Sequence, residues 1–133
     1  MPTSKEKLSI LSEMIAFAKV KNNVKPEEYA FLNRIAEQLG VGQETFESLF
    51  HKEVEYVIPK SEADRILQFH RLVLLMNVDK KQDQNEIDQI HNIGLGMGLP
   101  PAAIESVLTV MHQYPDKIIP PNVLIDIFKT YYN

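Results

Sequence analysis

Cysteine is absent from this chain. That excludes a disulfide framework, a thiolate zinc site and a cysteine nucleophile, and it fits a reducing compartment. No apolar stretch approaches the roughly 18–20 residues needed to span a bilayer. The start, Met1-Pro-Thr-Ser-Lys-Glu-Lys, lacks the apolar run of a signal peptide, so a soluble cytoplasmic protein with no membrane partner is expected. Nor is there a basic stripe. The 14 Lys and Arg are spread among 18 Asp and Glu for a net charge of −4, whereas nucleic-acid affinity rests on neutralising phosphates, so no nucleic-acid partner is expected.

What is present is helical periodicity over 133 residues, the length of one domain with a core of its own. The stretch R-I-L-Q-F-H-R-L-V-L-L-M-N-V at 65–78 puts Ile66, Phe69, Val73 and Met76 on one stripe, while Leu72, Leu74 and Leu75 fill most of the rest. A helix apolar nearly all round belongs at the buried centre of a bundle. Ser61 and Asp64 form its capping box.

Around it, Leu8, Leu11, Ile15 and Ala18 mark a first helix at about 5–20. Pro26 opens a second with Tyr29, Leu32, Ile35 and Leu39 inward, ended by Gly40. A short third helix at about 43–52 buries Phe46, Leu49 and Phe50, and residues 54–59 are β-branched without a strand partner, hence an extended connection. Asp83 and Glu86 form a second capping signature for a fifth helix with Ile87, Ile90 and Ile93 inward, stopped by Gly98. Pro100-Pro101 opens a sixth, and Pro120-Pro121 a last helix with Val123, Leu124, Ile127, Phe128 and Tyr131 on its apolar side.

Sliding the chain on itself by 58 residues places Glu28 on Glu86, Ile35 on Ile93, Gly40 on Gly98, Glu47 on Glu105 and Ser48 on Ser106. Apolar class agrees more widely, for example Leu8 with Ile66 and Phe46 with Ile104. The expected fold class is therefore all-α: a single domain of about seven helices. Two similar three-helix repeats, about 8–52 and 66–112, would surround the central buried helix, with a C-terminal capping helix at about 120–132.

Each repeat has an apolar helix, a polar turn, a Glu-led helix ending in Leu/Met-Gly-Val/Leu, as in E-Y-A-F-L-N-R-I-A-E-Q-L-G-V at 28–41, and a third short helix. This resembles the tellurite-resistance protein B (TerB-like) family of small helical domains, whose members carry the unit twice. The resemblance covers about 8–111. It implies a non-enzymatic interaction or scaffold module linked to bacterial metal or envelope stress. It also implies an acidic Asp-Gly turn before each Glu-led helix, proposed in that family to hold a metal ion. Here Lys21 and Asn22 occupy the first such turn; in the second, Asp79 keeps the acid and Lys80 replaces the glycine.

Asp79, Asp83 and Glu86 are the one cluster of oxygen ligands in a turn, and a divalent cation is the cofactor they would take, giving a cation-sensing domain as the alternative function. An EF-hand counted from Asp79 fails, because Gln84 and Ile90 stand where glycine and the closing acid belong. The helix-cap reading of Asp83 and Glu86 is preferred. No catalytic residues are assigned: His51, His70, His91 and His112 lie on different predicted helices without ligand spacing, and Ser9, Ser12, Ser48 and Ser106 have no nucleophile context. Gly94, Gly96 and Gly98 close a helix and form no phosphate loop, with Gly94 and Gly96 expected at a close helix crossing. In the C-terminal part, Ile119, Phe128, Tyr131 and Tyr132 are the candidate surface for a protein partner or self-association. The competing reading is that this helix covers a groove left by the repeats.

Overall fold

The computed structural model describes residues 3–19, 24–78 and 84–131. Among them it is all-helical: α1 (Ser4–Lys19), α2 (Pro26–Gln38), α3 (Gln43–Ser48), α4 (Glu62–Val78), α5 (Gln84–Gly96), α6 (Pro101–Val110) and α7 (Pro121–Tyr131). Two single 3-10 turns, Met111–Gln113 and Pro115–Lys117, separate α6 from α7. None of these helices is long and apolar enough to cross a membrane.

The chain divides into two compact units, Met1–Asp79 and Lys80–Asn133. In the first, α1 packs on both α2 and α4, α2 also packs on α4, and α3 packs on α2. Its buried side chains include Leu11, Met14 and Ile15 from α1, Leu32 and Ala36 from α2, Phe46 from α3, and Phe69, Leu72, Leu75 and Met76 from α4. The sequence places α4 at the buried centre, and five of its apolar residues are indeed sealed, but Leu67 on its flank is 46% exposed. The third helix is shorter than its periodicity implied. It ends at Ser48, and turns carry Leu49 and Phe50 onward. Phe46, Phe50 and Tyr29, the last from the first turn of α2, form an aromatic cluster with ring centroids 5.3 to 5.7 Å apart.

In the second unit α6 packs on α5 and α7. Ile90, Ala103, Ile104, Val107, Met111, Ile119, Leu124 and Phe128 are its buried residues of note.

Local geometry repeats at the spacing seen in sequence. Gly40 (φ 76°) and Gly98 (φ 80°) both take the left-handed conformation. The residue after each glycine bonds back across the helix end, Val41 N–H to Ala36 at 2.9 Å and Leu99 N–H to Gly94 at 3.1 Å. Each glycine also donates to the residue three before it, Glu37 at 3.0 Å and Leu95 at 2.9 Å. This is the Schellman pattern, which satisfies the last carbonyls and favours glycine at the left-handed position. Gly96 does not behave as expected. It is helical and exposed, and a Cβ built on it would meet nothing within 4 Å, so it serves no close crossing. Gly94 is buried.

Candidate functional site: an extended segment fastened to the first helix

Residues 53–59 form an irregular connection with neither turn nor bend, tied to its surroundings by side chains. Its fastening begins at the start of α1. Thr3 Oγ1 accepts the Glu6 amide at 3.1 Å, and Glu6 returns the bond to the Thr3 amide at 2.8 Å, a capping box. The second Glu6 oxygen accepts the Lys60 amide at 3.0 Å. Glu6 is 4% exposed, and the amides of Thr3 and then Lys60 hold its carboxylate below the ordinary glutamate range. A carboxylate that accepts backbone donors is favoured in its charged form.

One turn along, Ser9 is buried on the same face of α1. Its Oγ accepts the Val57 amide at 2.8 Å and donates to the Val57 carbonyl at 3.2 Å. One hydroxyl serving the N–H and C=O of a single residue requires both groups to point the same way, as they do in extended chain. Arg65 Nη1 donates to the carbonyls of Pro59 (3.1 Å) and Lys60 (3.0 Å). At the other end Lys19 Nζ donates to the Phe50 carbonyl at 2.9 Å. The exposed Lys5–Glu55 pair at 3.9 Å adds little.

Deeper, Glu13 of α1 accepts from Gln68 Nε2 at 2.9 Å, and the same amide reaches the Ile10 carbonyl at 3.3 Å. Gln68 is 1% exposed. Burial pushes the Glu13 carboxyl up, while Gln68 and the Tyr56 hydroxyl partly oppose that shift. The Tyr56 phenol is in turn pushed up to about 12, by burial first and then by the neighbouring Glu13 charge. Between α1 and the segment runs a groove of about 250 Å³ lined by Ser9, Ser12, Glu13, Ala16, Val54 and Tyr56.

Val57 thus turns its backbone N–H and C=O toward α1. Among the described residues, no backbone–backbone hydrogen bond involves 53–59. Tyr56 is 54% exposed and Ile58 40%.

The residues singled out in sequence fall elsewhere. Asp79 and Asp83 lie outside the described residues; Glu86 is buried at 8% exposure, as is Glu28 at 8%. Glu28 does what a helix-start glutamate should, accepting the Lys25 amide at 3.0 Å. Among the described residues no three of His, Asp and Glu gather as a metal site would require. Ile119 and Phe128 are 1% and 2% exposed. Ile119, just before α7, and Phe128 of α7 are core residues of the second unit, in which α7 packs on α6. Tyr131 is 44% exposed, and Tyr132 lies outside the described residues. The exposed apolar groups near α7 are instead Ile118 at 51% and Ile125 at 50%.

The histidines are dispersed. His51 is exposed in a turn after α3, and His112 is exposed in the 3-10 turn at Met111–Gln113. His91 Nε2 lies 3.9 Å from Glu105. His70 is half-buried, its Nε2 sealed without a hydrogen-bond partner, and burial followed by the Arg71 charge pushes its pKa down.

Sequence reading missed Glu6, Ser9, Glu13, Tyr56 and Gln68 as a connected group. The available signal was a polar residue on an apolar face: Ser9 beside Ile10 and Leu11, and Gln68 beside Phe69. Comparison of the chain with family models, curated proteins and solved structures found no match.

Proposed function

We propose that this protein is a non-enzymatic helical interaction module of the TerB-like kind, and that the outward edge of residues 54–58 is where it meets another extended chain. Its setting, by the same resemblance, is a bacterial cytoplasmic stress response of the tellurite-resistance type. One observation carries the interaction reading. A segment with both Tyr56 and Ile58 exposed is tied to α1 at Val57 by Ser9 and just beyond its end, at Lys60, by Glu6, and among the described residues its backbone pairs with no other backbone. Main-chain pairing at such an edge is a recurrent mode of peptide recognition. Because the segment is fastened before binding, less ordering entropy is lost on association.

The test is a nuclear magnetic resonance titration of the labelled protein with a blocked synthetic peptide of sequence E-V-E-Y-V-I-P, copied from 53–59. Shifts should appear at the amides of Val54, Tyr56 and Ile58 and spare α2 and α3. Ile58→Pro removes the Ile58 N–H, leaves both Val57 bonds in place, and should abolish them. Shifts that are absent at millimolar peptide, or scattered over the helices, would refute the reading.

A further inference from the structure

The groove between α1 and the extended segment holds a carboxylate without a counter-charge. Glu13 is half-buried, and it accepts from Gln68 Nε2 at 2.9 Å and from the Tyr56 hydroxyl. Among the described residues no basic side chain forms an ion pair with it. Arg71 reaches the Gln68 side-chain oxygen at 3.4 Å and not the carboxylate. Lys19 stands about 9 Å further along the helix axis, with its Nζ given to the Phe50 carbonyl. A carboxylate withdrawn from water in this way is costly until a cation joins it. An ionisable group so placed in a cleft marks a binding site to be tested.

We infer that this groove binds a primary ammonium group on an unbranched alkyl chain, with Glu13 as its counter-ion, whether or not residues 54–58 pair with another chain. The lining supplies the argument. A primary ammonium has three N–H donors and no acceptor. The carboxylate keeps lone pairs beyond those that Gln68 and Tyr56 occupy. Ser12 lines the groove and makes no hydrogen bond among the described residues. Ser9 Oγ uses its proton and one lone pair on Val57, which leaves it a second lone pair. Glu13, Ser12 and Ser9 thus offer an acceptor for each ammonium donor. Other ions fit less well. A divalent cation seeks about six or more oxygens, and among the described residues no three acids or histidines gather. A guanidinium forks onto both carboxylate oxygens, which here are shared with Gln68 and Tyr56. An anion would meet the Glu13 charge. Ala16 and Val54 complete the lining with apolar surface for an alkyl stem. The volume of about 250 Å³ admits roughly eight non-hydrogen atoms at ~30 Å³ each, enough for n-butylammonium or a lysine side chain.

The test is a titration of the full-length, carbon-13-labelled protein with n-butylammonium chloride at fixed ionic strength and about pH 8, where an alkylammonium is still charged. It is read at the Glu13 carboxyl carbon and at the amides of Ser12, Glu13 and Val54. Saturation should come at roughly 1–10 mM, the range open to so small a ligand. n-Butanol, uncharged, and tetramethylammonium, charged but without donors, should each bind at least tenfold more weakly. Glu13→Gln keeps an acceptor oxygen without the charge and should weaken butylammonium binding at least tenfold. Ser12→Ala breaks no hydrogen bond of the described residues, should weaken it about threefold, and keeps the test open if Glu13→Gln fails to fold. Nα-acetyl-lysine N-methylamide binding as tightly as butylammonium assigns the site to a lysine side chain of a partner; binding at least tenfold weaker assigns it to a free alkylamine. No saturable shift by about 100 mM butylammonium overturns the inference. So does an equal response to butanol or tetramethylammonium, unchanged binding in both variants, or saturation of the same signals by Ca²⁺ or Mg²⁺ instead. The blocked 53–59 peptide carries no ammonium, so its titration and this one fail separately.

Discussion

Replacing Ser9 by alanine removes one oxygen and tests the fastening of the extended segment directly. That oxygen accepts the Val57 amide at 2.8 Å and donates to its carbonyl at 3.2 Å. Two neutral hydrogen bonds are together worth about 1–3 kcal/mol. Val57 is half-buried, so water replaces part of the loss and the lower half of that range applies. Alanine also suits a helix better than serine by about 0.5 kcal/mol. The net loss is about 1 kcal/mol, or roughly 3–6 °C in Tm for a domain of this size. Ser12→Ala, one turn along the same groove, gains the helix term without losing the Val57 bonds and serves as control. Thermal melts followed by circular dichroism should therefore place Ser9→Ala below the parent and Ser12→Ala at or above it. A Ser9→Ala protein as stable as the Ser12→Ala one would refute the reasoning, since the Val57 bonds would then contribute nothing.

The glycines divide by conformation. Gly40→Ala and Gly98→Ala place a Cβ at φ near 76° and 80° and should each destabilise by about 1–2 kcal/mol. Gly96→Ala sits in open helical space and should stabilise by about 0.5–1 kcal/mol, read as a shift in urea midpoint. Equal effects at the three positions would contradict the assignment. For His70 the folded pKa is depressed by burial, so the unfolded chain takes the proton first. Stability should thus fall as pH drops through the unfolded value of about 6.5 and level off below the folded one. His70→Gln should lose less stability than the parent between pH 7.5 and 5.5, and identical slopes would argue against a sealed imidazole.

The helices were legible because their signals are local. Apolar spacing in α1 and α4, prolines at the first turns of α2, α6 and α7, and glycines past the ends of α2 and α5 each act within a turn or two of chain. Ser61 capping illustrates this: the Asp64 amide donates to Ser61 Oγ at 3.1 Å, as the pattern implies. The fastened segment was not legible, because its partners are far away in sequence. Ser9 meets Val57 across 48 residues, Glu6 meets Lys60 across 54, and Gln68 meets Glu13 across 55. Side chains on an apolar helix give no sign of which distant backbone they will bond. Likewise, apolar content alone marked Ile119 and Phe128 as a candidate surface. Periodicity identifies an apolar face but leaves open whether that face meets its own chain or another, and here it meets α6.

Amide hydrogen exchange at Tyr56, Val57 and Ile58, measured by nuclear magnetic resonance with and without the 53–59 peptide, tests the open segment most directly. In the protein alone Val57 should be protected by Ser9 while Tyr56 and Ile58 exchange freely; with millimolar peptide the latter two should slow and Val57 should not change. Equal protection of all three amides in the protein alone, or no response of Tyr56 and Ile58 to the peptide, would contradict the account.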